Sequence, residues 1–427
     1  MILSPRLSRL LTTLALLAIL AGAAALRLSE LTPPARGLNF AADTDEGAYA
    51  SSAQLLLRGQ LPYRDFFATL PPLALYLFAG IQGLFYRPWG SLAGFMALRY
   101  ASVAYGLATI IAVYCIGRRL GGRPAGLLAA ALLAGDGIVA GQDRRAMLEA
   151  PMNLFSALAV WAYLHGMNRE RPARWLALAG ALSAAAVLVK SQAAVLPLVL
   201  LGATLARRRW RDALPLLAGG MGAGLLLAGP FLLLCPEPFL KQVYAFQLVR
   251  PPDGPQGVIP RLHDIWNYPA AWLTVRLGLL GLLLGTWGLW RTPARAGWLL
   301  TVAWAGGTAA LLLLSKSYWA TYVSPLAVPL ALLAGGALAG RRAPTLLGRL
   351  APAGLLLVFS LWALTRAPTQ ADGARRFLAA QKPEFGQVMR YLERYTLPEA
   401  TILATDPLYA FCLLYTSDAA DDLLCVD

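Results

Sequence analysis

Residues 97–130 read ALRYASVAYGLATIIAVYCIGRRLGGRPAGLLAA: two apolar runs separated by a short cluster holding Arg118, Arg119 and Arg123. An apolar run near 20 residues is long enough to cross a bilayer. A basic cluster between two such runs is how orientation signals are distributed in membrane proteins. Outward from this stretch the same alternation recurs to about residue 365. The apolar runs predict spans at 8–28, 97–117, 124–142, 150–167, 173–190, 192–206, 213–235, 271–290, 297–314, 318–340 and 346–365. Composition agrees. The chain has 427 residues, 58% hydrophobic and 14% charged, with a mean hydropathy of +0.57. A soluble domain cannot hide that much apolar surface. The fold class expected is therefore an all-α polytopic membrane protein of about eleven transmembrane helices.

The net charge of +15 does not call for nucleic acid. The arginines fall in short clusters in alternate loops: 118–123, 169–174, 207–211, 291–295 and 341–349. The positive-inside rule then places the N-terminus in the cytoplasm. Arg6 and Arg9 ahead of Leu10–Leu26 also fit a signal peptide, but the run is long and more spans follow, so an uncleaved first span is the reading adopted. Cys115, Cys235, Cys412 and Cys425 show no paired or metal-ligand spacing, and two histidines do not make a multi-histidine site.

This orientation gathers Asp43, Asp45, Glu46, Asp65, Arg99, Asp143, Arg144, Arg145, Glu149, Lys190, His263 and Lys316 on the outer face. Residues 73–86 are apolar but short and follow Pro71-Pro72. They are read as a surface or re-entrant helix within a first external loop over 27–96, because a crossing there would invert every later cluster. The proline-rich stretch 236–270 reads as a long loop able to act as a lid. Residues 1–365 form the membrane domain. Residues 366–414 read as the start of a small external α/β domain that is cut short. The aspartate-rich end, 415–427, departs in composition and reads as a non-native tail.

Asp43-Thr44-Asp45-Glu46 opens a helix expected over Gly47–Arg58 and closed by Gly59. A capping box, with Asp43 as N-cap and Glu46 reaching back, explains two of the three carboxylates. It leaves Asp45 as a dipole-favoured acid or a functional one. Glu149 pairs either with Arg145 one helical turn away or with a substrate. Lys190 ends a span, where a lysine snorkels or serves chemistry. Tyr318 and Tyr322 suit interfacial anchoring or a site.

DTDEGAYASSAQLLLRGQLPYRDFFATLPPLALYLFAG (43–80) resembles the first external loop of the GT-C glycosyltransferases, in the branch of protein mannosyltransferases and aminoarabinose transferases. The 97–130 stretch, RRAMLEAPMNLFSALAVWAYL (144–164), GALSAAAVLVKSQAAVLPLVL (180–200) and SKSYWATYVSPLAVPLALLAG (315–335) fit in the same order. The resemblance implies a sugar donor on a polyprenyl phosphate, with a glycan, lipid or protein as acceptor at the outer face of a bacterial inner membrane. It implies Asp45 as catalytic base with Glu46 its companion. It also matches Glu149, Lys190 and Tyr322 to substrate-side positions. Lys190, Arg144 and Arg145, then Lys316, are the cations available to the leaving phosphate. A divalent cation on Asp45 and Glu46 is the cofactor such oxygens would accept. One departure stands out: Leu70 occupies the place before Pro-Pro where some relatives carry a base. A transporter or flippase of lipid-linked sugars and a glycan ligase or polymerase are the competing classes. A transporter calls for midplane charges in paired halves, which the sequence does not display.

Overall fold

In hydrocarbon a backbone must satisfy its own polar groups, so the Ala-, Leu- and Gly-rich runs close into helices. The computed structural model describes residues 4–28, 31, 44–167, 169–267, 294–340, 391, 394 and 395. The expected spans 271–290 and 346–365, nearly all of 366–414, and the tail lie outside the described residues. Among the described residues there is no strand, only the isolated bridges Pro62 to Phe66 and Asp253 to Ser317.

The helices are α1 Pro5–Leu28, α2 Thr44–Leu57, α3 Pro72–Ala134, α4 Gly137–Asp143, α5 Glu149–Met167, α6 Ala173–Val189, α7 Val195–Ala206 and α8 Trp210–Leu234. After them come α9 Pro236–Leu240, α10 Phe246–Val249, α11 Val258–Asn267, α12 Arg295–Leu314 and α13 Ser324–Gly340. Five described helices have the length and hydropathy to cross a membrane: 6–28, 93–134, 210–234, 295–314 and 321–339.

Helical residues run through the whole of α3, yet the chain reverses twice inside it. A Cβ on Gly117 would lie 2.9 Å from Gly126 Cα, whereas nine residues of straight helix extend about 13 Å. Gly122, at φ +83°, supplies the left-handed residue that this reversal requires. Gly94 packs on Tyr86 in the same way, with a built Cβ 3.3 Å from Tyr86 Cβ. The apolar helix 72–86 therefore ends in a turn. Its start is held by Tyr76, which stacks on Phe231 near the C-terminus of α8. The expected span 124–142 needs correction. It stops at Ala134, and Asp136 caps a separate α4 by accepting from Val139 N at 2.9 Å. An internal N-cap carboxylate breaks the helix that hydropathy alone would continue. A second correction concerns 236–270, which is mostly helical up to Val249 and again from Val258 to Asn267, rather than a loop.

The bundle has two chemically distinct ends. At one, Arg123 donates to Ser8 Oγ at 2.8 Å, and Arg209 donates to Met167 O at 3.0 Å, capping the last turn of α5. Nineteen residues along α1, about 28 Å away, Arg27 donates to Asp143 at 2.9 Å. The arginine-bearing turns near 118–123, 169–174 and 207–211 thus sit opposite the end that carries Glu46, Asp143, Glu149 and Lys190.

Small residues let the spans approach closely. A methyl on Gly180 would collide with Leu216 O, and one on Gly219 with Ala177 O, so α6 and α8 meet backbone to backbone. Replacing Gly180 by leucine is expected to cost about 1–3 kcal/mol through overpacking. A lowered melting temperature of the detergent-solubilised chain is the measurement; an unchanged one would contradict the close approach.

Candidate active site

The first turn of α2 points two neighbouring carboxylates in different directions, because consecutive helical residues are about 100° apart. Glu46 points inward and is fully buried. Arg99, at the start of the 93–121 segment of α3, grips it with both arms of its guanidinium, Nε to Oε1 at 2.8 Å and Nη2 to Oε2 at 2.7 Å. Ala146 N donates to the same Oε1 at 2.6 Å. Asp45 points outward and is exposed. Tyr49, one turn on, donates its hydroxyl to Asp45 Oδ2 at 3.3 Å. Burial first, then the Asp45 and Glu149 carboxylates, hold the Tyr49 phenol well above its ordinary range, so it stays a neutral donor. Asp43, the expected N-cap, lies outside the described residues. The expected terminator is in place: Gly59 adopts φ +85°, and Gly59 N and Gln60 N return to Leu56 O and Leu55 O.

Across from α2, Glu149 opens α5 and is 1% exposed. Lys190, the residue that ends α6, donates to Glu149 Oε1 at 2.5 Å. The Arg145 pairing is therefore not the one formed with Glu149. Glu149 Oε2 is buried and has no hydrogen-bond partner among the described residues. The Lys190 ammonium also lies 4.9 Å from the centre of the Tyr322 ring, a cation–π contact. The Asp45 charge acts on both Lys190 and Tyr49, so α2, α5, α6 and the turn before α13 meet in one constellation: Asp45, Tyr49, Glu149, Lys190 and Tyr322. Asn153, Ser156, Gln192 and Thr308, with apolar neighbours that include Leu196 and Trp304, line a small cavity of mixed polarity with room for about one water.

The turn between α4 and α5 carries Arg144 and Arg145. Burial, then the charges of Arg27 and Arg145, push the half-buried Arg144 guanidinium down to about 10. A crowded cation of this kind favours an arriving anion. Lys316 lies apart from the Glu149 pair: its amine donates to Leu248 O at 2.5 Å, and its backbone accepts from Asp253 N. Tyr318 is buried and donates to Asp264 at 2.9 Å. Arg261, 1% exposed, donates to the carbonyls of Leu312, Leu313 and Ser315 and so caps α12. The segment expected as a lid is thus tied to 312–319.

Both Glu46 oxygens accept from Arg99, so a cation held by the two acids would share Glu46 with that guanidinium. Among the described residues no group of three or more His, Cys, Asp or Glu side chains is placed to hold a metal. Sequence reading missed Tyr49 altogether and did not join Glu46 to Arg99. The signals were the i, i+4 spacing of Asp45 and Tyr49 and an arginine opening an apolar run.

The described residues thus form a helical bundle with acids and cations assembled at one end. Residues 69–233 match the family model for dolichyl-phosphate-mannose-protein mannosyltransferase. The chain is 28% identical over 312 residues to the undecaprenyl phosphate-alpha-4-amino-4-deoxy-L-arabinose arabinosyl transferase of Pseudomonas aeruginosa strain UCBPP-PA14, covering 70% of this chain. It spans about half the length of that relative, 55%. Among solved structures, ArnT from Cupriavidus metallidurans bound to undecaprenyl phosphate is similar with a TM-score of 0.70 at 18% identity, covering 97% of this chain and 85% of that one. The apo oligosaccharyltransferase of Archaeoglobus fulgidus is similar at 0.59 and 12%, covering 95% and 64%. The resemblance drawn from the motifs holds: this is a GT-C fold, similar in sequence to the mannosyltransferase and aminoarabinose-transferase branch.

Removing one member of the buried ion pair leaves a charge without its partner. Lys190→Met is expected to destabilise the chain by about 3–5 kcal/mol, and Lys190→Met with Glu149→Gln to recover much of that loss. Thermal denaturation of the two variants side by side checks this; equal losses in both would show that the pair is not coupled.

Proposed function

We propose that this chain is a glycosyltransferase that moves a sugar from a polyprenyl-phosphate donor to an acceptor on the outer face of the cytoplasmic membrane. The observation that carries this reading is the constellation itself. Asp45 is an exposed carboxylate beside the Glu149–Lys190 pair, at the bundle end opposite the arginine turns. Similarity to a transferase that acts on an undecaprenyl-phosphate-linked aminoarabinose supports the donor class. The eleven-span topology, with a cytoplasmic N-terminus and an external α/β segment after residue 366, belongs to the same proposal.

In the reaction the acceptor O–H attacks the anomeric carbon and its proton passes to Asp45. The bond from that carbon to the phosphate oxygen breaks, and the polyprenyl phosphate leaves with the electron pair. A positioned base contributes about 10²–10⁴-fold. The charge growing on the phosphate is met by Lys190 with Arg144 and Arg145 from the α4–α5 turn. A single displacement with no protein nucleophile inverts the anomeric centre. Tyr49 orients the base, and Tyr322 holds Lys190 in place through its ring. Lys316 is the more distant cation of the set.

The ligase reading, in which whole lipid-linked glycans are joined, is favoured by one observation, the fold shared with an oligosaccharyltransferase. Mass spectrometry of envelope glycolipids and glycoproteins from cells with and without the intact gene separates the two by the mass transferred: one sugar or a whole glycan. Asp45→Asn is expected to cut product by about 10²–10⁴-fold while expression and insertion stay normal; undiminished product would remove Asp45 from the mechanism. Sidedness has its own check. A single cysteine at position 45 should react with an impermeant maleimide from outside intact cells, and one at position 207 should not; the reverse pattern overturns the orientation.

A further inference from the structure

We propose that Arg99 is a positioning residue, and that the Arg99–Glu46 clamp sets where Asp45 stands relative to the α4–α5 turn. The proposal rests on the reading of Asp45 as the base and assigns Glu46 a different task from its neighbour. Glu46 is one residue from Asp45 on the same helical turn, so its side chain fixes the rotation and height of α2 at that point. It accepts three hydrogen bonds of 2.6–2.8 Å from two other elements, Arg99 of α3 and the backbone of Ala146. Ala146 directly follows Arg144 and Arg145 and lies three residues before Glu149. One carboxylate therefore joins the base-bearing helix to the turn that presents the cations and to the start of the Glu149 helix. Arg99 is itself 6% exposed, and its guanidinium rests 5.0 Å from the centre of the Phe95 ring, one turn earlier. Its fork matches both carboxylate oxygens in one plane, which a lysine ammonium cannot do. A bond network with no water around it resists reorientation more than an exposed one.

The test uses the full chain in lipid nanodiscs and in cells, with Arg99→Lys as the conservative variant. The charge remains and the bidentate grip is lost. Because a misplacement near 1 Å costs about 10²-fold in rate, the envelope product seen by mass spectrometry should fall about 10–100-fold. Binding of undecaprenyl phosphate alone should stay within about 3-fold, since Arg99 is outside the phosphate-facing set. A cysteine at position 45 should react faster with a maleimide in the Arg99→Lys background than beside native Arg99. Should Arg99→Lys fail to insert, Glu46→Gln with Arg99→Met removes both buried charges and the clamp together, with the same outcomes expected. Unchanged labelling at position 45 overturns the clamp. Faster labelling with undiminished product overturns its role in the chemistry. If Asp45→Asn also retains product, the base assignment fails, and the labelling arm still decides whether the clamp holds α2.

Discussion

Placing a carboxylate away from water carries a penalty unless both oxygens are matched by charge or hydrogen bonds. Glu46 meets that condition at a junction of three elements, with Arg99 on both oxygens and Ala146 N on one. Two other buried ion pairs lie at the same end of the bundle, each matched in part. Arg27 ties α1 to Asp143 and also donates to Ala134 O at 3.0 Å. Gly106 lacks the Cβ that would strike the Asp143 carboxyl, so the pair seats against bare backbone. Lys190 satisfies one oxygen of Glu149. In an apolar bundle these pairs are specific where side-chain packing is not, because a misregistered helix would leave a charge alone. The arrangement of this end thus combines ion pairs with the apolar cluster that holds Ala50, Phe95, Leu148 and Met152.

Glu149 departs from the rule by one atom. Its Oε1 is matched by Lys190, and its Oε2 is buried without a partner among the described residues. A buried acceptor left in that state costs about 1–3 kcal/mol. Strain of this kind concentrates where a protein binds something. Gln192 Oε1, close in sequence to Lys190, is in the same condition. Both acceptors call for a donor, which hydroxyl groups of a sugar or of water supply.

Most of the described apolar helices were readable in the sequence for a physical reason. Apolar length decides which segments enter hydrocarbon, and the arginines mark the turns at one end. The stop of α2 at Gly59 and the shortness of the 72–86 helix were equally visible, because a left-handed glycine and a Pro-Pro start act locally. The site was legible only in part. Asp45, Glu46, Glu149 and Lys190 stand out as charges in an apolar chain, so type and position found them. Their partners did not stand out. Glu46 and Arg99 are 53 residues apart and Lys190 and Glu149 are 41 apart, and pairing across such distances is a tertiary fact. The local rule of i, i+4 contacts favoured Arg145 for Glu149, and the bundle overrode it. Asp136 shows the limit of hydropathy: one carboxylate inside an apolar run caps a short helix and divides what reads as a single span.

Two adjacent acids can share a motif without sharing a task. On a helix they diverge by about 100°, so one of a pair at a water boundary faces solvent and the other faces protein. The buried one cannot exchange partners with a substrate without first losing Arg99, whereas the exposed one accepts a long hydrogen bond, 3.3 Å, from Tyr49. Proton transfer needs a group that can meet an incoming hydroxyl, which favours Asp45. Constant geometry needs a group that never lets go, which favours Glu46. A carrier that moves a sugar across the bilayer would place such groups near the middle of its helices, where both sides gain access in turn. Here Glu149 opens its helix, Lys190 ends its own, and Arg99 lies in the first two turns of the 93–134 segment. That distribution suits work at one end of the bundle rather than passage through it.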